Sequence, residues 1–221
     1  VTNPTDPKRL AGDIAFNADF KNIDFVKPTL LDLATQKQVN LPPMAMRGKV
    51  RLNGDALSAE ARMTTGGGEL VGQGTFNSRD NRYTVDARFT NFPVHAILPL
   101  SNTDNLTAHI TASGEGFDFL NRSASARAEV NLDNVTYNNT VYRNLRADVR
   151  LQGGAFHGIV ASTNPHVDVS ANLNGTLADG QYHVEGDGYI NDLNLKQLGF
   201  TDVSCNGKGA FRLNATADTR R

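Results

Sequence analysis

The chain is 221 residues long, 39% hydrophobic and 20% charged, with a formal net charge of −1 and a sequence pI of about 6.6. That length allows one large domain or two small ones, and the charge balance excludes a partner such as nucleic acid or an anionic membrane held by electrostatics alone. The longest apolar runs, such as Ala96-Ile97-Leu98, fall far short of the roughly 20 residues that cross a bilayer.

From the amino end, the opening Val1-Thr2-Asn3-Pro4 has neither an initiator Met nor a basic-then-apolar leader, which reads as a mature form or an excised piece, the excised piece being the favoured expectation. Apolar residues then alternate with polar ones. Ile14, Phe16, Ala18 and Phe20 lead, followed by Met46, Gly48, Val50 and Leu52, then Leu57 to Met63, Tyr83 to Phe89, Leu106 to Ala112 and Ala124 to Leu132. The pattern recurs in Leu145 to Leu151, Val167 to Leu173, Tyr182 with Val184, and Phe211 with Leu213. A period of two is the signature of strands. The intervening residues, for instance Thr84, Asp86 and Arg88, or Arg146, Asp148 and Arg150, are hydrophilic, as expected of antiparallel strands with one solvated face. Hairpin turns are predicted at Asn53-Gly54-Asp55, Gly66-Gly67-Gly68, Ser78 to Asn81, Gln152-Gly153-Gly154 and Asp179-Gly180. Short helical turns are predicted at 29–37, 93–98 and 193–198, the last stopped by Gly199. These helices are too short to cover a large sheet, so its apolar face is buried by more sheet or by something outside the chain. The predicted organisation is a polar tail over 1–11, one elongated β domain of repeated hairpins over 12–218, and a short tail over 219–221.

One motif recurs four times: apolar, any residue, Asn or Asp, apolar, any residue, apolar. It reads Phe20-Lys21-Asn22-Ile23-Asp24-Phe25, Phe89-Thr90-Asn91-Phe92-Pro93-Val94, Leu132-Asp133-Asn134-Val135-Thr136-Tyr137 and Ile190-Asn191-Asp192-Leu193-Asn194-Leu195. Two apolar residues three apart share a face only if the strand kinks, and an Asn or Asp at the kink can satisfy the freed backbone groups. The unequal spacing of the copies departs from a strict solenoid.

The run 132–137, with Tyr142-Arg143-Asn144-Leu145-Arg146-Ala147 and Leu151-Gln152-Gly153-Gly154-Ala155-Phe156 after it, resembles the AsmA-like superfamily, and most of residues 12–218 is similar to its TamB-type members. That resemblance implies an all-β fold, a long curved antiparallel sheet shaped like a taco or gutter with an apolar concave face. It also implies a place in the periplasm of Gram-negative bacteria, as part of an inner-membrane-anchored protein, and a role in phospholipid transfer between membranes and in outer-membrane biogenesis. The implied partners are phospholipid acyl chains, the neighbouring strands of the full-length protein and an outer-membrane assembly protein.

Catalytic signatures are missing from the sequence. The five histidines, His95, His109, His157, His166 and His183, form no pair at metal-ligand spacing, and there is neither a nucleophile elbow nor a phosphate loop. Cys205 shares the apolar phase of Gly207, Gly209, Phe211 and Leu213, which reads as a small buried hydrophobe. The expectation is a protein without enzymatic activity, cofactor or metal. Its working surface would be an apolar floor formed by Phe89, Ile110, Val130, Val149, Val169 and Val184 on successive strands. The alternative is a closed β-sandwich or barrel acting as an adhesin, scaffold or carbohydrate-binding module; the absence of Trp and the presence of only five Tyr disfavour a sugar platform.

Overall fold

The computed structural model describes residues 11–21, 40, 42–120, 123–178, 181–194, 196, 202–203 and 206–218. It is all-β, with 78% of the described residues in strands. The strands are β1 (Ala11–Phe20), β2 (Met44–Asn53), β3 (Ala56–Thr65), β4 (Gly68–Asn77), β5 (Arg82–Phe92), β6 (Thr103–Glu115), β7 (Ser125–Tyr137), β8 (Thr140–Gln152), β9 (Ala155–Asn164), β10 (Val167–Ala178), β11 (Gln181–Asn194) and β12 (Asn206–Asp218). They form one antiparallel sheet in which each strand lies beside its neighbours in the chain, in the order β1 through β12. Among the described residues the single helix is α1 (Val94–Ile97), one turn within the predicted 93–98. The predicted helix at 29–37 and the turn Asp179-Gly180 lie outside the described residues. At 193–198 the expectation is corrected: Leu193 and Asn194 extend β11 as strand.

Two compact units make up the chain. The first comprises Val1–Arg79, Val85–His109 and Asn134–Val141; the second comprises Asp80–Thr84, Ile110–Asp133 and Tyr142–Arg221.

In the first unit the register sets Phe16 beside Gly48, Gly48 beside Ala61, and Ala61 beside Gly72. It also sets Ala18, Met46, Met63 and Leu70 side by side. These rows form the apolar face. The opposite face is a lattice of exposed charge, with Arg51 bonded to Asp13 at 2.6 Å and Arg62 paired with Glu69 at 3.1 Å. Exposed pairs like these contribute little stability; they keep that face in water.

The turns follow from backbone sterics. Gly66-Gly67, Asn138-Asn139 and Gly153-Gly154 are two-residue connections, and each residue in them has a positive φ, between 47° and 83°. That is the geometry of the tight turn whose twist matches the strands it joins, and Gly and Asn adopt it at least cost.

The recurring motif lies at the C-terminal ends of odd-numbered strands, and it works as a kink in two of its copies. Asn91 has φ 45°, and the kink brings Phe89 and Phe92 together edge to face at 5.5 Å. The Asn91 amide donates to the Thr107 hydroxyl at 3.0 Å. In the second unit the register slips between Ile190 and Leu193, and Asn191 Nδ2 donates to Asp168 Oδ1 at 2.9 Å. The copy at Leu132 differs: Asn134 is absent from the positive-φ residues, and the run stays within β7. Residues 22–25 of the first copy lie outside the described residues.

Candidate functional site

The apolar face of the second unit can be read row by row from the pairing of β8 to β12. Val149 sits opposite Gly158, Gly158 opposite Leu173, Leu173 opposite Gly186, and Gly186 opposite Leu213. The next row runs Leu151, Phe156, Gly175, Val184 and Ala215. Its neighbour on the other side runs Ala147, Val160, Ala171, Gly188 and Phe211. In the first row large side chains alternate with glycine across the strands, and in the other two Gly175 lies beside Phe156 and Gly188 beside Phe211.

The alternation is a packing device. A Cβ placed on Gly186 would lie 2.7 Å from Leu173 Cδ2, and one on Gly188 would lie 2.7 Å from Phe211 Cε1. One on Gly175 would collide with the Phe156 ring and the His183 carbonyl oxygen. Leu173, Phe211 and Phe156 therefore lie over the bare backbone of the next strand and shield its glycine. The first unit repeats this with Phe16 over Gly48, where an added Cβ would come within 2.7 Å of Phe16 Cζ. Aromatic cover of a strand glycine is a known way of stabilising a position that has no side chain of its own.

Little covers these faces among the described residues. Among the described residues the buried apolar side chains are Met44, Phe92, Ala108, Ala124 and Leu151, whereas an ordinary domain of this length encloses a contiguous core. On the apolar faces Ile14 is 57% exposed, Val149 38% and Leu213 41%. Fully buried Asn164 is a satisfied structural residue: its side-chain Oδ1 accepts from the His166 backbone amide at 2.8 Å, and its backbone amide donates to the Ser162 hydroxyl.

Of the sequence-predicted floor residues, Val149, Val169 and Val184 lie on one face of β8, β10 and β11, but in three different rows. Ile110 and Val130 are half-buried on β6 and β7 of the same unit. Phe89 belongs to the first unit and packs against Phe92. Sequence reasoning missed Leu173, Phe156 and Phe211, the large side chains that lie over glycine. The available signal was the pairing of glycine with a large residue on the next predicted strand.

On the solvated face, Asp148 accepts from Arg127 at 2.8 Å and lies 3.5 Å from Arg150 Nε. The Arg127 hydrogen bond holds its carboxyl below the ordinary 3.8, with the charges of Arg127 and Arg150 adding to the effect. His109 Nε2 meets Asp86 Oδ1 at 2.8 Å, and His157 Nδ1 meets Asn174 Oδ1 at 2.7 Å. Among the described residues no group of three or more His, Cys, Asp and Glu side chains converges on a metal position, and no helix is long and apolar enough to cross a membrane. A shallow open depression beside Asp19, Met44 and Gly67 is edged by Thr65, whose hydroxyl donates to the Pro43 carbonyl at 2.8 Å. Comparison of the chain with protein-family models, with curated proteins and with solved structures finds no match.

Proposed function

We propose that the apolar sheet face is a lipid-bearing surface, and that the chain is a non-enzymatic, periplasmic part of an inner-membrane-anchored protein that passes phospholipid towards the outer membrane, in the manner of the TamB-type proteins it resembles. One observation supports this most directly. The strip Val149, Gly158, Leu173, Gly186 and Leu213 is continuous across five strands, and the side chains at its two ends are 38% and 41% exposed. An acyl chain laid on such a strip is held by area alone. Burying one CH₂ is worth about 0.8 kcal/mol, so a chain of about 16 carbons gains on the order of 10 kcal/mol gross. The strip offers contact along its length and no polar anchor, which suits a carrier that discriminates little among headgroups and must release its cargo.

The test is a pair of substitutions on neighbouring residues of β8. Val149→Asp places a carboxylate on the strip, where contact with acyl chains leaves it poorly solvated. Arg150→Asp changes the charge on the opposite face. Val149→Asp is expected to keep a cooperative melt and to lose lipid captured by photo-crosslinking, and Arg150→Asp to change neither. Undiminished crosslinking in Val149→Asp would refute the lipid path. Global unfolding by Val149→Asp would show that the position is a closed core, as in a β-sandwich. Native mass spectrometry of the purified chain should show co-purified phospholipid.

A further inference from the structure

We infer that the connection between β6 and β7 is a membrane-contact loop, whose Phe117, Phe119 and Leu120 enter the headgroup layer of a lipid bilayer. The inference concerns how the chain meets a bilayer and holds whether or not the apolar strip carries lipid.

The loop and the residues that brace it all belong to the second unit. Phe117 is 60% exposed, Phe119 41% and Leu120 44%, three large apolar side chains within four residues. Exposed apolar groups gathered in this way mark a contact surface, whereas single ones do not. The segment that carries them is held in place. The Gly116 amide donates to the Asn81 carbonyl at 3.1 Å, and Gly116, at φ 76°, lies against buried Ala124. The Phe117 ring stacks on Tyr83 with centroids 5.0 Å apart and planes 14° from parallel. Asp118 Oδ1 accepts from the Leu120 amide at 3.2 Å, an Asx turn. The apolar side chains are therefore presented by a braced turn, and little ordering is left for docking to impose.

Three features favour lipid over a protein as the occupant. The three side chains together expose on the order of 300 Å², given about 150–250 Å² for a whole aromatic side chain, whereas a stable protein interface takes about 800 Å² from each partner. An area that small suits a few side chains that reach the boundary between headgroups and acyl chains. The amides of Gly116 and Leu120 are already bonded within the protein, as a segment leaving water requires. The charges around the loop nearly cancel: Arg82 lies 3.4 Å from Asp80 and 3.3 Å from Glu115, Asp118 sits in the turn, and Arg122 follows in the sequence. Neither attraction to anionic lipid nor repulsion from it dominates, so zwitterionic lipid suffices. The Asp118 carboxylate, between the two phenylalanines, keeps the contact shallow, because a charge in the hydrocarbon layer is costly.

The chain contains no Trp, so Phe119→Trp places a single indole on the loop. Ile159→Trp places one on the solvated face of β9, opposite Asp148 and Asn172. With phosphatidylcholine vesicles, the emission of Phe119→Trp should move to the blue and be quenched by lipids brominated near the headgroup end of their acyl chains. Ile159→Trp should show neither effect. Phe119→Ser with Leu120→Ser should lower co-sedimentation with the same vesicles by roughly tenfold or more, for two apolar side chains no longer buried, with an unchanged circular dichroism spectrum. Added salt should leave the binding of the unaltered chain as it is, and Val149→Asp should bind vesicles as the unaltered chain does. An indole at position 119 that does not respond to vesicles would overturn the inference, as would a double serine variant that sediments undiminished. Binding lost in Val149→Asp but kept in the double serine variant would assign the vesicle contact to the strip and reject the loop. A blue emission at position 119 that needs no vesicles and grows with protein concentration would make the loop a protein contact, which also rejects it.

Discussion

At the scale of single residues, the glycines of this sheet are of two kinds, and substitution separates them. At Gly175 a methyl group would strike the His183 carbonyl oxygen and the Phe156 ring; a backbone atom on one side and a packed ring on the other leave nowhere to move. Gly175→Ala is expected to destabilise by about 1–3 kcal/mol, the usual range for overpacking, read as a lower urea midpoint. At Gly72 the nearest atom to an added Cβ is the Asp86 carbonyl oxygen at 3.7 Å, an ordinary contact. Gly72→Ala is expected to stabilise by about 0.5–1 kcal/mol, because it restricts the unfolded chain without a clash. Equal effects at the two sites would argue against glycine acting as a seat for its neighbour. Among the charges, the hydrogen bond from Arg127 lowers the Asp148 carboxyl below its ordinary 3.8. A carboxyl with a depressed folded-state value contributes stability above its unfolded value and loses it as pH falls through the folded one. Asp148→Asn should therefore flatten the acid limb of the stability profile below about pH 4, and Arg127→Ala should have a similar effect. An acid limb unchanged by both would show that the pair contributes nothing, a common result for exposed pairs.

Whole elements show what the sequence made legible. Ten of the strands are readable from apolar alternation, because one of their faces is apolar and the other polar. β4 and β9 are harder to read, since Gly72 and Gly74 in one and Gly158 in the other stand where the period calls for a hydrophobe. Gly158 sits between Val149 and Leu173 of the neighbouring strands, and pairing between strands is not written in any local window. Of the candidate site, the faces of Val149, Val169 and Val184 were legible, but their separate rows were not, because rows depend on register. The kink motif was legible for the reason that makes it work: Asn91 tolerates a positive φ and its side chain meets Thr107. Asn91→Val, a β-branched residue forced to φ 45°, is expected to cost about 1–2 kcal/mol, whereas Asn91→Gly should be close to neutral. The difference between the two thermal melts isolates the backbone term from the side-chain hydrogen bond. Similar destabilisation by both would place the effect in the lost Asn91–Thr107 contact instead.

For the whole molecule, the decisive property is that strand order equals chain order. Every described pairing joins neighbours in sequence, as in a repeat protein, where stability is close to a sum of local units and nearest-neighbour interfaces. Removing β12 tests this directly. Its apolar-face partners on β11 are Tyr182, Val184, Gly186, Gly188, Ile190 and Leu193, and at roughly 0.2–1 kcal/mol for each cross-strand pair its loss should cost a few kcal/mol. It also uncovers Gly188, which Phe211 shields. A chain ending at Asn194 is therefore expected to retain the strand signal of β1 to β11 in circular dichroism, with a lower urea midpoint and a smaller denaturant slope in proportion to the surface removed. A closed barrel or sandwich would respond differently, because a strand lost from a closed core opens that core and unfolds everything packed against it. Retention of the remaining strand signal supports serial pairing, and collapse of the whole signal on deleting one terminal strand would reject it.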